Sequence, residues 1–393
     1  MKKLFHVFTF IFMLLLFTSC GKTDSSSSLS SVDIYEDAGD NNNMISNPGV
    51  FLKLNGESEF VGVADPFCLR GDDGYYYLYS TQLDCTRGEK GYGFDPGPIF
   101  KSRNMQSWEY CGSVFLDTPN YQQYIGWNNG EGGVWAPSVV KLNNQYVFYY
   151  TLGAGGYYSG YTGIGVASSP TPYGPWTHYG KLFDSQEIGV KNSIDCYVFN
   201  EEEHVWCVWG SGDGIWIMEL SEDGLSLKGG LERQSQNKVQ IAGFNLFYND
   251  NYEASFIQKK NGYYYLYLST GACCAGVKSD YHVVVGRSKT IYGPYLGENG
   301  RAIDAPNRGS TVIKAHLKKG MGPGHCAIVQ DDKGLDWIVY HAYNPNASNS
   351  VEQNTRTLYV DRIYWNEKGF PICKDTYPNF GEIPGPYVYQ KEE

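Results

Sequence analysis

The sequence predicts an all-β protein folded as a five-bladed β-propeller, and three observations carry that expectation. A hairpin-like unit recurs five times, with leading residues near 65, 136, 195, 253 and 325 that stand roughly 58 to 72 positions apart. Each unit continues into two further short apolar or aromatic runs, separated by a turn rich in Gly, Pro, Asn or Ser. No long stretch carries a convincing helical period. Four short strands per unit, repeated five times, make a ring of blades around a central axis.

Before the repeats, residues 1–20 read as an export signal. Lys2 and Lys3 precede an apolar stretch, Leu4 to Phe17, too short to span a bilayer, and "LFTSC" ends at Cys20. This is the pattern of a bacterial lipoprotein, in which Cys20 is the lipidated N-terminus and anchors the chain to a membrane of the cell envelope without crossing it. The alternative is an ordinary cleaved signal that happens to contain a cysteine. Residues 21–47 are rich in Ser, Asp, Asn and Gly and read as a flexible tether. Residues 48–393 are left for the propeller.

The units follow in order. The first pairs "ADPFCLRGDDGYYYLYST" (Ala64 to Thr81) with "PIFKSRNMQSWEYCG", and the second pairs "WAPSVVKLNNQYVFYYT", opened by Trp135, with "TGIGVASSPTPYGPWTHYG". The third runs from "IDCYVFNEEEHVWCVWGS" (Ile194 to Ser211) into "GIWIMELSEDGLSLKGG". The fourth joins "YEASFIQKKNGYYYLYLSTG" (Tyr252 to Gly271) to "VVVGRSKTIYGPYLG", and the fifth joins "GHCAIVQDDKGLDWIVYH", from Gly324, to "TLYVDRIYWNEKGFPI". Runs such as Tyr75 to Tyr77 and Tyr263 to Tyr265 alternate along strands and are expected to pack between blades. About Lys228 to Asn251 reads as an enlarged loop before the fourth unit.

Composition narrows the partners. A formal net charge of -11 with no basic stripe argues against nucleic acid. With 34 Tyr and few long basic side chains, the surface suits sugar faces better. Of ten cysteines, removal of Cys20 leaves an odd number without small-scaffold spacing. Cys68, Cys196, Cys207 and Cys326 sit in strand-like runs and are expected to be free and buried. The adjacent Cys273 and Cys274 could form a strained disulfide. No pattern with zinc spacing is present.

Asp65, Asp195 and Glu253 lead the first, third and fourth units. Each has a plain reading when taken singly: Asp65 before Pro66 as a turn former, Asp195 as a solvated loop residue, Glu253 as a strand-edge charge. Taken jointly they fall at one phase of the repeat. In a propeller the first strand of every blade lines the channel, so residues opening that strand converge at one end of the axis. Carboxylates gathered there repel and cost stability unless function retains them.

The motifs "ADPF", "WAPSVV", "NSID", "GSGDGIW", "YEASFI", "CCAGVKSDYHVVVGRS", "YGPY", "RGSTVI" and "GPGH" together resemble glycoside hydrolase family 43. Within it they look most like the endo-1,5-α-L-arabinanases, from about Gly62 to Pro371. The resemblance implies a propeller hydrolase that cuts internal α-1,5 bonds of arabinan by single displacement with inversion. Asp65 matches the general base, Asp195 the acid that orients and tunes its partner, and Glu253 the general acid. The residue types suit that chemistry, because inversion needs one carboxylate to activate water and a protonated carboxyl opposite to protonate the leaving oxygen. A third carboxylate nearby raises the acid's pKa by like-charge repulsion.

The resemblance also implies that His325 ligates a calcium or similar ion, largely through water, although calcium prefers oxygen ligands. It places Trp135 in the substrate wall, against the plainer reading of a core tryptophan, with Asn192 and Ser211 as candidates to bond sugar hydroxyls. Departures from the family pattern bear on subsite shape: Cys196 follows Asp195 where Pro is common, Ala254 and Ser255 follow Glu253, and "GSGDG" lacks an aromatic after Gly-Ser. An exo-acting α-L-arabinofuranosidase or β-xylosidase of the same family, and a non-catalytic glycan-binding lipoprotein, are therefore the alternatives. The expected partners are arabinan or its oligosaccharides and, through Cys20, a membrane. The expected state is a monomer.

Overall fold

The computed structural model describes residues 43–53, 56–85, 93–125, 133–153, 161–243, 252–304 and 308–389. The leader, Cys20 and most of the expected tether lie outside the described residues. Five sheets form the blades, one from each repeat unit and antiparallel but for one outer pair of the first, so the chain is a five-bladed β-propeller. The second blade is Val134–Leu142, Gln145–Leu152, Gly163–Ser169 and Thr177–Asp184, and the third is Tyr197–Glu201, His204–Trp209, Ile215–Leu220 and Val239–Ala242. The fourth is Glu253–Lys260, Tyr263–Thr270, His282–Ser288 and Ser310–Ile313. The fifth is Met321–Gln330, Asp336–Tyr343, Arg356–Trp365 and Pro371–Cys373.

The first blade has six strands. Phe67–Arg70, Tyr76–Tyr79, Pro98–Ser102 and Ser107–Ser113 follow in order, and Val50–Leu52 and Ser58–Glu59 extend its outer edge. The preceding residues close the ring against the last blade. Met44–Asn47, at the end of the stretch read as tether, is instead a strand paired with Gly381–Pro384. The Asn47 side chain imitates a strand, donating to the Val360 carbonyl and accepting from the Val360 N–H, each at 2.9 Å.

Two outer strands fall later in the chain than the sequence pattern suggests. In the third unit the run after Ile215–Leu220 makes only an isolated bridge, Leu220 to Leu227, and the fourth strand is Val239–Ala242. The stretch read as an enlarged loop thus holds the helix Leu231–Asn237 and a blade strand, and residues 244–251 lie outside the described residues. In the fourth unit Leu296 likewise makes only bridges, and Ser310–Ile313 takes the outer place. Short polar-flanked segments carry too weak a period to be separated from loops by pattern alone.

The tyrosine runs do pack. Tyr76, Tyr77, Tyr79, Tyr265 and Tyr267 are buried. Their hydroxyls reach out of the apolar layers to polar acceptors, as Tyr79 does to the Pro172 carbonyl at 2.5 Å, Tyr265 to the Gly369 carbonyl at 2.7 Å and Tyr77 to the Asp73 carboxylate at 2.6 Å. Cys68, Cys196, Cys207 and Cys326 are free and buried, and Cys273 and Cys274 are both free thiols rather than a disulfide.

Candidate active site

Five residues open the inner strands, and all five adopt left-handed backbone: Asp65 (φ 51°), Ala136 (44°), Asp195 (58°), Ala254 (54°) and His325 (49°). For a residue with a side chain this costs on the order of 1 kcal/mol or more, and five repetitions at one place indicate a shared purpose. In the second, fourth and fifth blades the strand register shifts at this point, between Trp135 and Ser138, Glu253 and Phe256, and Gly324 and Ala327. Such a bulge bends the strand and re-aims the side chains beside it. Asp65, Asp195 and His325 thereby meet at one end of the axis: His325 Nδ1 lies 3.3 Å from Asp65 Oδ1 and 4.0 Å from Asp195 Oδ2.

Glu253 enters from a different phase. It stands one residue before Ala254, as Trp135 stands one before Ala136, so the expectation that all three acids share a phase holds for the two aspartates only. Its carboxylate is clamped by two hydroxyls. Ser211 donates to Oε2 and Tyr281 to Oε1, each at 2.7 Å. When Glu253 carries a proton, the hydroxyl facing that oxygen can turn and accept.

The two aspartates sit in contrasting surroundings. Burial opposes charge on Asp65, but Arg356 and then His325 outweigh it and hold the carboxyl well below its usual range. Arg356 Nη1 donates to Asp65 Oδ1 at 2.8 Å, and the Thr81 hydroxyl donates to Oδ2 at 2.6 Å. Asp195 is pushed up to about 7, by burial first and with Glu253 and Asp65 adding to it against the pull of His325. Burial likewise opposes charge on His325, yet Asp65 and Asp195 prevail and raise its pKa. His341, fully buried behind Asp65, is kept neutral by burial and by Arg356.

Of the residues expected to bind sugar, Trp135 is best placed. It is 37 % exposed, and its indole lies so close over Gly133 and Gly153 that a Cβ on either would come within 2.9 and 2.7 Å of the ring. A side chain at either glycine would press on the indole, so the two glycines let it lie there while part of it stays exposed. Ser211 serves the acid instead of pointing to an empty groove. The Asn192 carbonyl accepts the N–H groups of Ile194 and Ser211, and its side chain accepts from Thr162 at 3.4 Å, so it shapes the loop that carries Ser211.

Sequence reasoning missed Arg356, Thr81, Tyr281 and His341. Thr81 had a signal, since the second strand of the first, second and fourth units ends in Ser or Thr after an aromatic run. Arg356 and Tyr281 carry no local pattern. Gly324, before His325 in "GPGH", is explained by Tyr281, whose ring lies 2.1 Å from where a Cβ would be.

Among the described residues no group of three His, Cys, Asp or Glu is placed to hold a metal. His325 supplies a single nitrogen, and calcium takes six to eight oxygens. The side chains alone therefore make no calcium cage, and an ion here would rest on water. At the opposite end of the inner strands a cavity of about 720 Å³ is lined by Phe67, Tyr146, Tyr197 and Phe256. Its rim charges are already paired, Arg70 with Asp332 and Lys141 with Asp72, so the chemistry lies at the carboxylate end.

A five-bladed propeller with an ionised aspartate beside an arginine, facing a hydroxyl-clamped glutamate and a third, proton-holding carboxyl, has the makings of a glycosidase. The family model described as glycosyl hydrolases family 43 matches residues 61–371, and the chain belongs to that family. An extracellular exo-α-(1->5)-L-arabinofuranosidase of Cellvibrio japonicus is 30% identical over 323 residues, covering 79% of this chain and 86% of that protein. An extracellular endo-α-(1->5)-L-arabinanase of Bacillus subtilis is 29% identical over 315 residues, covering 78% and 86%. The structure of a Cellvibrio cellulosa α-L-arabinanase complexed with arabinohexaose aligns with a TM-score of 0.66 at 28% identity, over 81% of this chain and 96% of that one.

Proposed function

We infer that this glycoside hydrolase cuts internal α-1,5-L-arabinofuranosidic bonds of arabinan with inversion. The observation that carries the reading is the convergence of Asp65, Asp195 and Glu253, each with a partner set suited to a different protonation task. Asp65, ionised beside Arg356, takes a proton from water as that water attacks the anomeric carbon. Glu253 protonates the departing oxygen. Asp195 feels the charge of Glu253, and its Oδ2 accepts the Ala254 N–H at 3.1 Å, which fixes the residue next to Glu253. Trp135 offers a stacking face for a sugar ring.

The test is hydrolysis of debranched linear arabinan, with products sized over time and their anomeric configuration followed by NMR. Mixed short oligomers of inverted configuration support the reading. Monomer alone would assign exo action, which the Cellvibrio japonicus relative makes the second reading. Absence of any product from arabinan or xylan would favour a glycan-binding role.

Relatives named as extracellular support a location outside the cytoplasm, and the pattern ending at Cys20 adds a lipid anchor to this proposal. We also propose a single-chain enzyme carrying a calcium ion on His325 held mostly through water. Chelation should then lower activity and melting temperature together, with recovery on adding calcium; no change in either would remove the ion from the account.

A further inference from the structure

The five blade-opening residues share more than left-handed backbone: the N–H of each is held by an acceptor brought by another blade. Thr81 Oγ1 accepts from Ala136 at 2.8 Å, Thr151 Oγ1 from Asp195 at 3.0 Å, and Ser269 Oγ from His325 at 2.9 Å. Each acceptor comes from the blade just before. All stand at or just past the end of the second strand, opposite the residue that precedes their own blade's opener, as Thr151 pairs with Trp135, Ser269 with Glu253, and the Thr81 N–H bonds Ala64 O. In the third blade that position is Gly210, whose N–H donates to Ile194 O as the Thr81 N–H donates to Ala64 O. Glycine brings no acceptor. There the Asp195 carboxylate takes the Ala254 N–H itself.

The fifth blade departs in another way. Its equivalent position is His341, paired with Gly324, and His341 Nδ1 accepts the Asp65 N–H at 3.1 Å. We propose that His341 is the positioning residue of the general base: it closes the ring of blade-to-blade bonds at the seam between last and first blades. It thereby holds Asp65 in the conformation that delivers its carboxylate to Arg356 and Thr81. The proposal rests on the reading of Asp65 as the base.

A histidine is a costly way to make this bond. Accepting at Nδ1 leaves the neutral ring's proton on Nε2, which is buried without a hydrogen-bond partner among the described residues. A threonine, as in the first two blades, would bury no such N–H. What the ring adds is a flat face. It lies parallel to the ring of Tyr281, with centroids 5.8 Å and planes 9° apart, and the Tyr281 hydroxyl holds Glu253. One side chain therefore braces the base through its edge, where Nδ1 also lies 3.4 Å from Asp65 Oδ1, and the acid's clamp through its face.

Two variants separate this role from packing. His341→Asn keeps an acceptor at the same bond count from the backbone, whereas His341→Leu keeps bulk and loses the acceptor. On linear arabinan the Leu variant should lose about tenfold or more in kcat with KM within about twofold, because small misplacement of a reacting group can cost ~10²-fold. The Asn variant should recover kcat to within about threefold of the parent on the same argument. Equal kcat in folded Leu and Asn variants, with only the melting temperature lowered, overturns the proposal. Should the Leu variant fail to fold, His341→Ala read against His341→Asn makes the same comparison. Asp65→Asn is measured alongside: full activity there overturns the base reading itself, whereas an inactive Asp65→Asn beside an unimpaired His341→Leu overturns the positioning role alone.

Discussion

Asp65 and Asp195 hold the same place in two blades, both buried, with φ of 51° and 58°, yet their carboxyls are driven in opposite directions. Backbone geometry does not distinguish them. Neighbours do: His325 faces both, but Asp65 is also bonded by Arg356, while Asp195 is acted on by Glu253 and Asp65 and, among the described residues, is bonded by no arginine. One repeated position thus yields a carboxylate that stays ionised and a carboxyl that holds its proton, because in a site of low dielectric the nearest charge decides the protonation state.

The comparison breaks most sharply if either end of the reaction is deleted. Asp65→Asn and Glu253→Gln should each reduce kcat on linear arabinan by about 10²- to 10⁴-fold, the usual weight of a general acid or base, with the melting profile of a folded protein retained. A milder intervention removes the cause of the contrast. In Arg356→Met the largest opposition to burial at Asp65 is gone and chiefly His325 is left to counter it, so its pKa rises and the acidic limb of the kcat/KM profile moves to higher pH. At the low end of the profile the loss should be on the order of tenfold, as expected for a charge-assisted hydrogen bond worth ~1.5–3 kcal/mol. An unmoved acidic limb would show that Arg356 does not set the ionisation of the base.

The other aspartate is tested from the alkaline side. A pKa raised to about 7 means that Asp195 keeps its proton below that pH and releases it above. On the proposed mechanism that proton serves the acid end, so kcat should decline above about pH 7, and Asp195→Asn should flatten that limb. The smallest expected effect lies away from the site. His178, stacked on Phe115 and Tyr124, has a pKa lowered to about 4 by burial. The unfolded chain binds a proton there below about 6.5 and the folded one does not until about 4, so this contribution to stability is full above 6.5 and is lost as pH falls. Between those values His178→Phe should melt less steeply with pH than the parent, by on the order of 2–4 °C.

Much of this was legible before any coordinates. The repeat spacing predicted the blades, and the tyrosine runs predicted their packing. Asp65, Asp195, Glu253, Trp135 and His325 were all marked by their place at the start of a unit. The late outer strands of the third and fourth blades were not, because short segments after polar turns have no period to read. Nor was the one-residue difference between Glu253 and the two aspartates, which depends on where the bulge falls.

Sequence alone determined the number of blades and, to within one residue, where each opens, since both follow from local pattern repeated at a near-regular spacing. Only the tertiary structure decided what each opener does. Arg356 lies 291 residues from Asp65 and Tyr281 lies 28 from Glu253, with no shared motif, yet each bonds its acid directly. Closing the ring brings the last blade against the first. The charges and hydroxyls met there set the protonation of groups that look alike in sequence.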